Sequence, residues 1–449
     1  MSSLGVREPS PVINPVPWLD RFAPLIPTLS DLALILPIVV LLWSTTGVGW
    51  LLTDSDTGWH IRTGEWILSH GGVPKADLFS FTMAGKPWIA WEWLADVMMA
   101  LAHHIGGLAG VVWLAMLVIS ATSVCVYKEA VAECRHRTVA IALTWLAMSA
   151  STIHWLARPH LVTPLMTAIF CRALNSVERT RNPVPLWGLP LLTILWTNLH
   201  GGFFVGIVLI CSYAIGAGAE ELLHGSRDGA WLRSRPYILA AVACGLASLL
   251  NPYGYDLHRH VVQYLGTSFY FVRISEFQSI DFHSFTAAYF ETLLILAIAA
   301  AAWHLRSGKL IHALVLLSWS HLALFSARNI PIFAVVAVPG VGLAMRGWLD
   351  TCTLLTELKA GVEDIEGGLR FLAGRLRRKS WHFPPSLLVL MFPLLFAHVG
   401  HREALHAGFD AGRFPVNAAT FLSQEPNLSS IRVYSSWQWG GYLIYRLWP

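Results

Sequence analysis

Unbroken apolar stretches separated by short polar segments run along the whole of this 449-residue chain. Those long enough to cross about 30 Å of hydrocarbon predict about eleven spans, several of them short. They lie at roughly 31–52, 107–127, 138–156, 161–174, 186–198, 203–219, 237–250, 286–305, 310–325, 330–346 and 384–400. The runs are too continuous for the weak alternation of an outer-membrane barrel. In lipid only helices and closed barrels satisfy every backbone group. The expected fold is therefore an all-α polytopic membrane protein. It divides into an N-terminal segment 1–30, a transmembrane domain 31–400 with an outer loop 53–106, and a short exterior C-terminal segment 401–449.

Composition sharpens this. Hydrophobic residues make up 55% and charged residues only 13%, against about 25% charged in soluble chains, which excludes disorder, a disulfide scaffold and a coiled coil. The N-terminal segment does not read as a cleavable leader, so the first span is expected to stay as an anchor. With the N-terminus placed in the cytoplasm, twenty of the 31 Lys and Arg fall on inner segments, as the positive-inside bias requires. The run Arg375–Lys379 then reads as a stop near anionic headgroups and not as a nucleic-acid patch. All six cysteines fall in spans or on the inner side, so no disulfide is expected. Most of the 21 Trp suit interfacial belts. The tail carries a strand-like Ile431–Tyr434 and reads as the opening of a small exterior domain.

The polar chemistry collects at outer span ends: Asp54-Ser-Asp-Thr-Gly-Trp-His60, Ala157-Arg-Pro-His160, Asn198-Leu-His-Gly-Gly202, Asn251-Pro-Tyr-Gly254 and Ser326-Ala-Arg-Asn-Ile-Pro331. Ionisable groups at membrane depth are expensive and tend to line a polar cavity. Ser55 or Asp56 is expected to cap a helix running to about Ser69, with Gly71-Gly72 ending it. Trp59, Trp66 and Ile67 would lay that amphipathic helix on the membrane surface. Asp56 and His60, four apart, share a face, and the helix dipole keeps a carboxylate at position 56 ionised; a bare cap is the alternative role for Asp56. Asp77 and Glu92 add carboxylates, which bind a divalent cation or divide acid and base work. Arg158 and Arg328 can each fork onto a phosphate or snorkel to headgroups. Arg259 is a third such candidate, and His160 and His200 are further polar candidates. The nineteen His lack zinc spacing.

These motifs resemble the GT-C superfamily of integral-membrane glycosyltransferases, which includes oligosaccharyltransferase catalytic subunits and protein O-mannosyltransferases. The run from Asp56 to Gly71, with Pro74, Asp77 and Ser80, is similar to a bacterial branch of it, as are the motifs around Arg158, Asn198, Asn251 and Arg328. Two features depart from better-known members: no second tandem acidic pair follows in the later loops, and the exterior tail is rudimentary. The resemblance implies sugar transfer from a polyprenyl-phosphate-linked donor, usually with inversion, at the outer face of a bacterial inner membrane. The acceptor is a glycan, lipid or protein hydroxyl, and nucleic acid is no partner. Asp56 is then the base, Asp54 its fallback, and Arg158 and Arg328 meet the departing phosphate, with His60, Asp77, Glu92, His160, His200 and Arg259 around the substrate. A divalent cation, Mg or Mn, stays an open expectation. Three rival readings are a transporter, which should show inverted repeats and midplane sites, another lipid-handling transferase, such as an acyl- or phospho-transferase using a histidine base, and a catalytically silent assembly partner of the same fold.

Overall fold

The structure, a computed structural model, describes residues 28–43, 47–351, 356–376, 407–428 and 431–448. The span expected at 384–400 and the basic run Arg375–Lys379 fall wholly or mostly outside them. The helices are α1 (Leu29–Trp43), α2 (Asp56–His70), α3 (Trp93–Cys134), α4 (Arg137–Ser151), α5 (Val162–Thr180), α6 (Leu189–Leu199), α7 (Phe204–Leu223) and α8 (Arg227–Ala247). There follow α9 (Tyr255–Gly266), α10 (Ser268–Arg273), α11 (Ala287–Arg306), α12 (Leu310–Phe325), α13 (Ile330–Thr351), α14 (Thr356–Leu376), α15 (Val416–Leu422) and α16 (Gly440–Leu447). Among the described residues strand structure is limited to one isolated bridge, Ala76 to Pro87. Ile431–Tyr434 forms no strand there.

Among the described residues four stretches are long and apolar enough to cross a membrane: Trp93–Cys134, Gly201–Leu223, Ala287–Arg306 and Ala327–Thr351. Shorter apolar helices cover Leu29–Leu42, Val184–Leu199 and Leu310–Phe325. The expected count of about eleven is not confirmed by these helices; the run at 138–156, for one, forms a helix that stops at Ser151. α13 is the central post, buried at every position from Ile330 to Gly342. α7, α8 and α11 instead present Ile215, Leu239 and Ile295 outward, as lipid-facing helices must.

α3 is broken at Gly106 and Gly107, whose backbone leaves the helical region. Gly107 takes φ 58°, which a side chain would strain. The break falls where the hydrophobic pattern begins its second span. Before it, Trp93–Ile105 packs beside α2; after it, α3 runs through the bundle.

α2 packs against the rest of the protein through one face. Its buried face is Thr57, Gly58, His60, Ile61, Thr63, Gly64 and Ile67. The small residues allow this: a Cβ on Gly64 would meet the Asp96 carbonyl oxygen at 2.0 Å, and one on Gly58 would meet that of Gly441 at 2.3 Å. α2 is thus clamped between α3 and the tail helix α16, with Arg62 donating twice to the Tyr445 carbonyl. Gly71 ends the helix in left-handed conformation, donating to the Ile67 carbonyl, as its glycine predicts. The start differs from expectation. Ser55 makes no side-chain cap; the Asp54 carboxylate accepts the Asp56 N–H at 2.8 Å. Exposed apolar residues lie on α9 and α10, at Tyr255, Val262, Phe269 and Val272, and also at Phe81, Met83 and Ile105.

Candidate active site

Four turns meet at one end of the bundle, and backbone bonds fix how they meet. The Ala157 N–H donates to the Leu51 carbonyl at 2.8 Å, and the Thr57 hydroxyl donates to the Ala157 carbonyl at 3.0 Å. The acidic segment 54–56 is therefore pinned on both sides to the neighbour of Arg158. A second stitch joins the later loop: Ser326 Oγ donates to the Glu276 carbonyl at 3.0 Å, and the Ala327 N–H to the Gln278 carbonyl at 2.8 Å. That places Glu276 beside Arg328.

The charges then fall into one cluster. Arg158 Nη1 is 2.8 Å from Asp54 and 3.9 Å from Glu276, while Nη2 is 3.1 Å from Asp56. Arg328 Nη2 is 3.5 Å from Glu276, and its guanidinium stacks over the Phe277 ring at 4.2 Å. Burial opposes the Arg158 charge, but Asp54, Asp56 and Glu276 outweigh it and push its pKa up. Burial would raise Glu276 too; Arg328 and Arg158 overcome that and hold it below the usual range. Asp56 moves the other way: burial and the Asp54 charge raise it against the pull of Arg158.

Behind this cluster sits a buried chain of carboxyls and imidazoles. The Gly202 N–H donates to His200 Nδ1 at 3.0 Å, so that nitrogen carries no proton and Nε2 does. Nε2 in turn reaches Glu92 Oε1 at 3.2 Å. The other Glu92 oxygen faces His60 Nε2 at 3.6 Å, and His60 Nδ1 lies 2.6 Å from Asp96. Asp96 is fully buried, and its second oxygen has no hydrogen-bond partner among the described residues. Burial pushes Glu92 up to about 7 against the charges of Arg158 and Arg328; burial and the same two arginines bring His200 down to about 3.

Glu92 gives a pH signature. From its ordinary 4.5 up to about 7 the folded protein keeps this proton and the unfolded chain has lost it. Stability from this group therefore falls as pH rises through that window and levels off above it. Glu92→Gln should flatten the slope, read as thermal midpoints in detergent at about pH 5 and about pH 8.

The expected site residues divide. Asp54, Asp56, Arg158 and Arg328 come together directly; Glu92, His200 and His60 stand behind them. Asp77 spends its carboxylate on its own turn, accepting from the Phe79 and Ser80 N–H groups. His160 donates from Nε2 to the His154 carbonyl at 2.8 Å, bracing the turn that carries Arg158. Arg259 is exposed on α9 and has no ion pair among the described residues. Glu276 and Asp96 were not expected. Asp96 had a signal, four residues after Glu92 and so on the same helical face; Glu276 sits in an Ile-Ser-Glu-Phe turn without a motif.

Oxygen donors of this kind suit Mg or Mn, so the fit was a fair expectation. It fails on geometry, because the Arg158 guanidinium fills the space between the three carboxylates. Among the described residues no group of three or more His, Cys, Asp or Glu is placed to hold a metal ion.

No family model matches this sequence, and no curated protein matches it. Solved structures do. The apo oligosaccharyltransferase of Archaeoglobus fulgidus matches with a TM-score of 0.53 over 96% of this chain, at 11% identity. The oligosaccharyltransferase AglB from Archaeoglobus fulgidus, in complex with an inhibitory peptide and a dolichol-phosphate, matches with the same score and coverage at 12% identity. The fold is that of an oligosaccharyltransferase. The chain spans 63% of the length of those archaeal chains, and among the described residues several helices are long and apolar enough to cross a membrane, as a multi-pass membrane protein requires.

Proposed function

We propose that this protein is a glycosyltransferase moving a sugar from a polyprenyl-phosphate-linked donor to an acceptor hydroxyl at the outer face of a bacterial inner membrane. The observation that carries this reading is the convergence of Asp54, Asp56, Glu276, Arg158 and Arg328 at one end of the bundle. One neighbour of the same fold holds a dolichol-phosphate, which supports a lipid-phosphate donor here. A groove of about 780 Å³ lies between α3, α6 and α8, lined by Trp93, Leu94, Leu191, Leu195, Leu249 and Leu250. Its apolar wall begins at the residue after Glu92, and it suits an isoprenoid tail.

In this reading the acceptor oxygen bonds to the anomeric carbon as the bond from that carbon to phosphate breaks. The electron pair leaves on the phosphate, and Asp56 takes the hydroxyl proton. The Arg328 and Arg158 guanidinium groups counter the developing charge. Attack from the face opposite the phosphate gives inversion.

The test supplies the purified protein in liposomes with labelled polyprenyl-phosphate sugars and an extract of envelope glycans, lipids and proteins. Sugar should leave the lipid and appear in a new glycosidic product of inverted configuration. Donors that remain intact with every acceptor fraction, while the protein moves them or another solute across the bilayer, would establish a transporter instead.

A further inference from the structure

We infer that the central cation of this site is built into the chain: the Arg158 guanidinium stands where a divalent metal ion would otherwise gather the three carboxylates. Only what that charge does in sugar transfer rests on the function proposed above; its identity stands on the geometry alone.

The arrangement is that of a cation in its shell. Asp54 at 2.8 Å and Asp56 at 3.1 Å bind separate nitrogens of one guanidinium, and Glu276 approaches at 3.9 Å. A guanidinium is planar, always charged and weakly hydrated, so it can replace an ion whose bonds are to carboxylate oxygens. A divalent ion added beside it would lie within a few ångströms of a fixed positive charge, with Arg328 on the far side of Glu276.

Arg158 is not a surface arm free to swing aside. Its side chain is 16% exposed, and its backbone is extended and precedes Pro159. Ala157 before it is bonded through both its N–H and its carbonyl. Other candidate ligands are already committed. His154 Nε2 faces Glu276 at 3.4 Å, His160 Nε2 donates to a backbone carbonyl, and His200 uses both nitrogens. The sequence fits this economy, because the second acidic pair expected of better-known relatives is missing and an Arg-Pro-His turn supplies the charge.

The experiment is a Mn²⁺ titration of the full-length protein in detergent, read by loss of the free-ion paramagnetic resonance signal. The parent should bind no Mn²⁺ that depends on Asp54, Asp56 or Glu276. Arg158→Met removes the guanidinium and leaves the carboxylates, and should gain a Mn²⁺ site at least tenfold tighter than any in the parent. Glu276→Gln in that background should abolish the gain, and Arg158→Lys should not show it. Parent binding that disappears in Asp54→Asn or Glu276→Gln would overturn the inference. So would a folded Arg158→Met protein that binds no Mn²⁺, because the carboxylates would then not be a cation's shell. Should Arg158→Met fail to fold, the parent titration decides by itself: carboxylate-dependent binding overturns the inference and its absence supports it. None of these readouts requires sugar transfer, so a failed transferase assay leaves them intact.

Discussion

Asp56→Asn should reduce sugar transfer by about 10²–10⁴-fold, the usual loss when a positioned proton acceptor is removed. Three carboxylates surround Arg158, and their openness selects among them. The Asp56 side chain is 38% exposed, against 27% for Asp54 and 19% for Glu276, so an acceptor hydroxyl reaches Asp56 first. Its pKa is raised, whereas that of Glu276 is lowered, and a base is more effective as its pKa approaches the working pH. Asparagine keeps the volume, and Arg158 keeps Asp54 and Glu276, so the melting temperature should barely move. Asp54→Asn is less clean, since Asp54 also holds the Asp56 N–H. Initial rates with labelled donor, with thermal melting as control, make the comparison. An Asp56→Asn protein as fast as the parent would remove the base assigned here.

Arg179→Met should lower stability by about 3–5 kcal/mol, the cost of leaving buried charges without their partner. At the far end of α3 from the candidate site, Arg179 lies 2.6 Å from Glu129 and also pairs with Glu133. Both glutamates are nearly inaccessible, at 2% and 5% exposed, and they are four apart on one helical face. Methionine fills the space but leaves two like charges adjacent. Adding Glu129→Gln and Glu133→Gln to the same protein should restore most of the loss, because replacing the whole group of charges is far cheaper than breaking it. Thermal or denaturant unfolding in detergent, with and without the rescue, separates this from a packing defect.

These clusters show what the sequence carries. Hydrophobic run length is a local property, so the helical membrane class, the break near Gly106 and the glycine stop after His70 were all legible. Helix ends such as Ser151 were not, since they depend on tertiary packing and not on the apolar run. Asp54, Asp56, Arg158 and Arg328 stood out because charge at membrane depth is costly wherever it occurs. Their mutual pairing did not, because it depends on bonds such as Thr57 to Ala157 that join positions a hundred residues apart. The packed face of α2 was not legible from its tryptophans: Gly58 and Gly64, which read as neutral, set it by letting neighbouring backbone approach. Glu276 was invisible for the same reason, being placed by Ser326 and Ala327 and marked by no local pattern.

The clamp on α2 also sets an order of assembly during synthesis. Gly58 and Ser55 rest against Gly441, and Arg62 is held by the Tyr445 carbonyl. The acidic segment emerges from the ribosome among the first hundred residues, yet it gains that support only when residues near 440 follow. A half-made chain already inserted in the bilayer therefore carries its carboxylates without their final brace, and the charged cluster matures after the bundle that bears it.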